Sequence, residues 1–144
     1  MNDASVKNTP SLVARGPVRL IGGEVAGAIA PESESISRFI GISYAAPPIG
    51  DLRWRQPQAI APWDGVCCAE SFGPAPAQPI DPTLSLFGLQ DGDEISEDCL
   101  HLNVWTPASD ANERRPVMVW IHGGGFRIGH AAHQMYNGVR LAEK

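Results

Sequence analysis

Val117-Met118-Val119-Trp120-Ile121 runs straight into His122-Gly123-Gly124-Gly125-Phe126, an apolar run that ends at three consecutive glycines. An unbroken series of apolar, β-branched and aromatic residues is the pattern of a strand buried on both faces, as in a parallel sheet covered by helices. Glycine has no Cβ, so three in a row let the backbone turn sharply and bring its N–H groups close to a ligand oxygen. Two such groups, held where negative charge develops, make an oxyanion hole, and losing one donor of this kind costs about 100- to 1,000-fold in rate. The donors are backbone, so glycine serves access rather than side-chain chemistry.

Other glycine-rich turns bind phosphate, but the dinucleotide fingerprint needs spaced glycines opening a helix and the P-loop needs Gly-Lys-Ser/Thr. Neither pattern is present. On the triplet alone a purely structural turn stays open. The preceding His122 favours the chemical reading, because a His-Gly-Gly-Gly loop after a strand is the oxyanion motif of lipases and esterases.

Upstream, Ser96-Glu97-Asp98-Cys99-Leu100-His101-Leu102-Asn103-Val104-Trp105-Thr106-Pro107 resembles the second signature of the type-B carboxylesterases, the family that includes the cholinesterases. The stretch from Phe39 through Gly41-Ile42-Ser43-Tyr44-Ala45-Ala46-Pro47-Pro48 to Leu52-Arg53-Trp54 resembles that family's N-terminal block, and Met135-Tyr136-Asn137-Gly138 resembles its Tyr-Asn-Gly turn. With the glycine loop, four motifs stand in family order across residues 17–144. The resemblance implies an α/β class and the N-terminal part only of an α/β-hydrolase fold: a small antiparallel N-terminal sheet, a Pro-rich wrap and the first strands of the central sheet. Residues 1–16 read as a flexible polar leader.

The same resemblance implies acyl transfer at a small-molecule carboxylic ester, with no cofactor or metal. Gly124 and Gly125 become the two oxyanion donors, Gly123 permits the turn, His122 orients the loop and Phe126 packs behind it. A third donor follows the nucleophile. The family's Gly-x-Ser-x-Gly nucleophile, acid and histidine lie further along the chain than Lys144, and no serine here has glycines two residues to either side. The chain alone is therefore expected to be inert, its partner being the remaining C-terminal part of the same domain. The rival is a non-catalytic fragment or interaction module of the same fold.

None of the four histidines, His101, His122, His130 and His133, sits at a recognisable spacing from a serine and an acid. His101 takes the place of a family Tyr and reads as a packed or surface imidazole. His130 and His133 have a spacing that suits a metal, but two ligands without a third do not make a site.

Composition sets the outer limits. The chain has 144 residues, 43% hydrophobic and 19% charged, with a formal net charge of −5. Lys and Arg form no cluster, which argues against a nucleic-acid surface. No stretch approaches the roughly 18 apolar residues of a membrane span. Residues 1–15 lack a signal-peptide profile, and the three cysteines are an odd number. In the resembling family Cys99 closes a loop with a cysteine whose place here is taken by Pro76. Reduced thiols and a cytoplasmic location are the expectation.

Along the chain, Val18–Ile21 and Glu24–Ile29 around Gly22-Gly23 read as a hairpin. Residues 37–44 read as a short strand, and His101–Thr106 and Pro116–Ile121 as the two best strands, joined by a polar loop. Trp54, Trp63 and Phe72 punctuate the Pro-rich stretch between Pro47 and Pro82 as expected core anchors. Asn137 is placed to cap a short helix from Gly138, too short to stand alone. The resemblance further implies that Arg53 pairs with Glu97, clamping the wrap to the loop edge.

Overall fold

A computed structural model describes residues 16–80, 86, 88–110 and 112–144. The expected polar leader lies, Gly16 apart, outside the described residues. Among the described residues, two three-stranded sheets make the framework. In the first, β1 (Val18–Arg19) pairs antiparallel with β2 (Glu24–Ala26), Val18 opposite Val25 and Arg19 opposite Glu24. The expected hairpin is therefore present, closed by the Leu20 N–H donating to Gly23 O at 2.8 Å. Its glycine pair serves packing as well as turning. The Trp63 indole lies flat on it, so a Cβ on Gly23 would stand 2.6 Å from Trp63 Nε1. That Nε1–H donates to Glu24 O at 3.0 Å, which gives the half-buried ring a hydrogen-bond partner.

The second arm of the hairpin ends sooner than the sequence suggests. Gly27 passes so close to the Arg38 carbonyl that no side chain fits, and beyond it β3 (Ala28–Ala30) changes sheets to pair with β4 (Ser33–Ser43). β4 begins four residues earlier than the apolar alternation indicates, because its first residues are exposed serines and glutamate. Another strand was not foreseen: β5 (Val66–Cys68), inside the Pro-rich wrap, runs parallel to β2. β6 (His101–Thr106) lies antiparallel to β4 over the residues expected of it.

Side chains from these strands form two small cores. Val25, Phe39 and Ala69 pack together with Leu20, Ile42 and Trp63. Ala30 and the fully buried Ile36 enclose Val139, with Trp105 and Ala142 alongside. Val139 opens the one-turn helix α1 (Val139–Ala142), which is held by this contact rather than by its own length. The N-cap is Gly138, one residue later than expected and without a side-chain cap; Asn137, just outside it, accepts the Val139 N–H through Oδ1 at 3.0 Å.

Several expectations are corrected. Pro116–Ile121 pairs with no strand among the described residues, and Val117 and Ile121 are 86% and 85% exposed. A strand designed for burial on both faces needs neighbours on each edge and layers above and below, and the described residues supply none of these. The expected first stretch of a central parallel sheet is thus present as sequence without its pairing. Trp54 is no core anchor: it follows the 3-10 turn Gly50–Leu52 at φ 62° and is 96% exposed. Phe72 is half exposed, leaving Trp63 as the anchor of the three.

Cys67 and Cys68 are exposed, Cys99 is half-buried, and all three are free thiols. Burial, reinforced by the neighbouring Asp98, pushes the Cys99 thiol above its ordinary range. No helix among the described residues is long and apolar enough to cross a membrane.

Candidate active-site loop

The glycine triplet belongs to a closed loop from His122 to Gly129. Three consecutive residues take left-handed backbone conformations: Gly124 at φ 115°, Gly125 at 60° and Phe126 at 58°. The Gly124 carbonyl faces inward and accepts the N–H groups of Arg127 and Ile128 at 3.1 and 3.2 Å. Gly124 comes so close to the Ile128 carbonyl that any Cβ would overlap it, whereas a Cβ on Gly123 or Gly125 would meet nothing within 4 Å. The steric requirement of the turn therefore rests on Gly124, not on Gly123 as the sequence suggests. Among the described residues, no acceptor meets the N–H of Gly124 or of Gly125.

The loop returns to its own start. A Cβ on Gly129, at φ 101°, would lie 2.8 Å from His122 Nδ1 and 3.1 Å from Gly123 O. His122 Nδ1 is 2.7 Å from Gly123 O, and since a carbonyl only accepts, Nδ1 carries the proton there. The His122 ring stacks on Tyr136, centroids 6.1 Å apart and planes inclined by 20°. Phe126 does not pack behind the loop: its ring is fully exposed.

At the loop's exit, three successive residues each meet a different upstream segment. Gly129 is gripped at both polar atoms by Gln78, whose Oε1 accepts the Gly129 N–H at 2.7 Å while Nε2 donates to Gly129 O at 3.2 Å. His130, 3% exposed, places Nε2 at 3.1 Å from Asp93 Oδ2. Ala131 O accepts Asn103 Nδ2 at 3.0 Å.

Asn103 is itself set by a β-bulge. Phe39 faces Val104 and Ile42 faces Leu102, so Ile40 and Gly41 together oppose Asn103. The Gly41 N–H, at φ 74°, then donates to Asn103 Oδ1 at 2.9 Å. A bulge of this kind re-aims a side chain, and here it turns the asparagine of the second motif toward the glycine loop's exit.

The histidines divide by environment. Burial lowers the His130 pKa below its ordinary 6.5, with Asp93 opposing and His133 and His122 assisting. His130 and His133 meet edge to face at 6.0 Å, and among the described residues no group of three or more His, Cys, Asp or Glu could hold a metal. His101 packs against Gly73, with a buried Nδ1 that meets no partner among the described residues. Gln78, Asp93 and Asn103 were missed by sequence reading. Only Asn103 lay within a recognised motif.

These features belong to a known class. The chain is a member of the carboxylesterase family, whose model matches residues 15–144. It is 40% identical over 119 residues to the phenmedipham hydrolase of Pseudarthrobacter oxydans, covering 82% of this chain and 23% of that protein. To the acetylcholinesterase of Gallus gallus it is 43% identical over 138 residues, 89% of this chain and 18% of that protein. Among solved structures, a PNB esterase superposes with a TM-score of 0.78 at 37% identity, over 89% of this chain and 25% of that one. The fold is thus shared with the corresponding part of α/β-hydrolase esterases. The chain spans between 18% and 25% of the length of these relatives.

Proposed function

We propose that residues 17–144 form the N-terminal segment of a serine carboxylic ester hydrolase and supply its oxyanion-holding loop, with the N–H groups of Gly124 and Gly125 as donors. The observation that carries this reading is the pairing of two left-handed glycines whose N–H groups meet no acceptor among the described residues, on a loop whose Gly124 carbonyl is bonded inward. Membership of the carboxylesterase family supports it. In this chemistry a serine attacks the ester carbonyl, a histidine steered by an acid takes the serine proton, and N–H groups hold the tetrahedral oxyanion. The serine, acid and histidine come from the C-terminal part of the domain, as does a third donor next to the nucleophile. The substrate is a small carboxylic ester, the reaction needs no metal or cofactor, and the protein works in the cytoplasm.

The test joins residues 17–144 to the remaining part of the PNB esterase and compares the product with its Gly124→Pro and Gly125→Pro variants. Proline has no N–H and locks φ near −65°, far from the 115° and 60° of these glycines, so each variant removes one donor and also resets the turn that aims the other, and kcat falls by at least about 100-fold. Unchanged kcat in both variants overturns the assignment. The 144-residue chain by itself shows no hydrolysis of a nitrophenyl ester.

A further inference from the structure

We infer that Gln78 is a positioning residue for the glycine loop, fixing the direction of the Gly124 and Gly125 N–H groups from outside the loop; this rests on the oxyanion reading proposed above. Gln78 lies in the Pro-rich wrap, 51 residues before Gly129. Its amide meets both polar atoms of that one residue, Oε1 taking the N–H at 2.7 Å and Nε2 giving to the carbonyl at 3.2 Å. Nε2 also gives to Pro76 O at 3.2 Å, which ties the amide back to its own segment.

A side-chain amide pairing with both backbone groups of a single residue fixes the rotation of that residue as well as its position. Gly129 is buried and lies directly against His122 and Gly123. Its neighbour Ile128 carries the carbonyl that excludes any Cβ at Gly124, and the Ile128 N–H donates to Gly124 O. Rotation at Gly129 is therefore passed through Ile128 to Gly124. The Asp93 and Asn103 contacts act one and two residues further on, at His130 and Ala131, where they set the exit path. Gln78 holds the residue at which the loop closes. A displacement of donors by about 1 Å is enough to cost up to about 100-fold in rate, so the effect belongs in kcat rather than in ground-state binding.

Two variants separate positioning from plain stability. Gln78→Met keeps the length and volume of the side chain and removes every hydrogen bond. Gln78→Glu keeps the acceptor for the Gly129 N–H but replaces the donor with a second acceptor facing Gly129 O. In the 144-residue chain labelled with 15N-glycine, Gln78→Met shifts the amide resonances of Gly123, Gly124 and Gly125 together with that of Gly129, and exchange of the Gly129 amide proton with solvent speeds up. A change confined to Gly129, or no change at all, overturns the inference.

In the domain completed with the PNB esterase, Gln78→Met lowers kcat by about tenfold to 100-fold with KM within about twofold, and Gln78→Glu lies between Met and wild type. Loss of kcat in Gly124→Pro with unaltered kcat in Gln78→Met sinks the positioning role alone. Unaltered kcat in both Gly124→Pro and Gly125→Pro sinks the oxyanion reading beneath it, while the glycine resonances still report whether Gln78 governs the loop.

Discussion

Arg53 and Glu97 meet side-on across 44 residues of sequence, Arg53 Nε donating to Oε1 at 2.6 Å and Nη2 to Oε2 at 2.5 Å. The two parallel bonds use the guanidinium fork that matches a carboxylate. They join the segment after the 3-10 turn Gly50–Leu52 to the start of the second motif. Hydrogen bonding from Arg53 holds the Glu97 carboxyl below its ordinary range, and the same bond raises the Arg53 pKa. Both side chains remain about half exposed, so water and salt screen the pair. Arg53→Ala, Glu97→Ala and the double variant, compared by urea unfolding, give a small favourable coupling that shrinks at high ionic strength. Simple additivity counts against the clamp.

Gly124 and Gly125 differ in what they tolerate. Gly124→Ala forces a Cβ into the Ile128 carbonyl at φ 115°, so it opens the loop and lowers the thermal midpoint of the chain. Gly125→Ala meets open space at φ 60° and carries only the left-handed penalty, about 1–2 kcal/mol. Equal midpoints for the two variants contradict this difference in crowding.

His130 makes stability depend on pH. Its folded-state pKa lies below 6.5, so the unfolded chain binds more protons and stability rises with pH. The contribution is fully present above the unfolded value and is lost as pH falls through the lower folded one. Wild type loses stability as pH drops below 6.5. His130→Met gives a flatter profile over the same interval. Parallel profiles for the two proteins rule out His130 as the source.

Trp63 anchors the hairpin through one hydrogen bond and one flat contact. Trp63→Phe removes the donor to Glu24 O and costs about 1 kcal/mol. Gly23→Ala costs more, because the Cβ has the indole in its way. Chemical denaturation ranks the two, and the reverse order refutes the contact.

The sequence revealed those parts of the fold whose partners lie close in the chain or within a motif. The turn over Gly22-Gly23 brings Val18 opposite Val25, and His101–Thr106 carries its alternation within six residues. Arg53 and Glu97 were legible through family resemblance alone, since no local pattern links them. Gln78 was hidden because it sits in a Pro-rich stretch without periodicity, and its role exists only once Gly129 is beside it. The apolar run Val117–Ile121, read as a strand buried on both faces, is neither paired into a strand nor buried among the described residues. Burial depends on neighbours, and those are not coded in the run itself. Trp54 and Phe126 share a feature that no local pattern announced: each has positive φ and an exposed ring.

The three side chains that meet the exit of the glycine loop, Gln78, Asp93 and Asn103, all precede it in the chain. During synthesis, each of them has therefore left the ribosome before Gly129, His130 and Ala131 emerge. The loop can thus be shaped against a template already made.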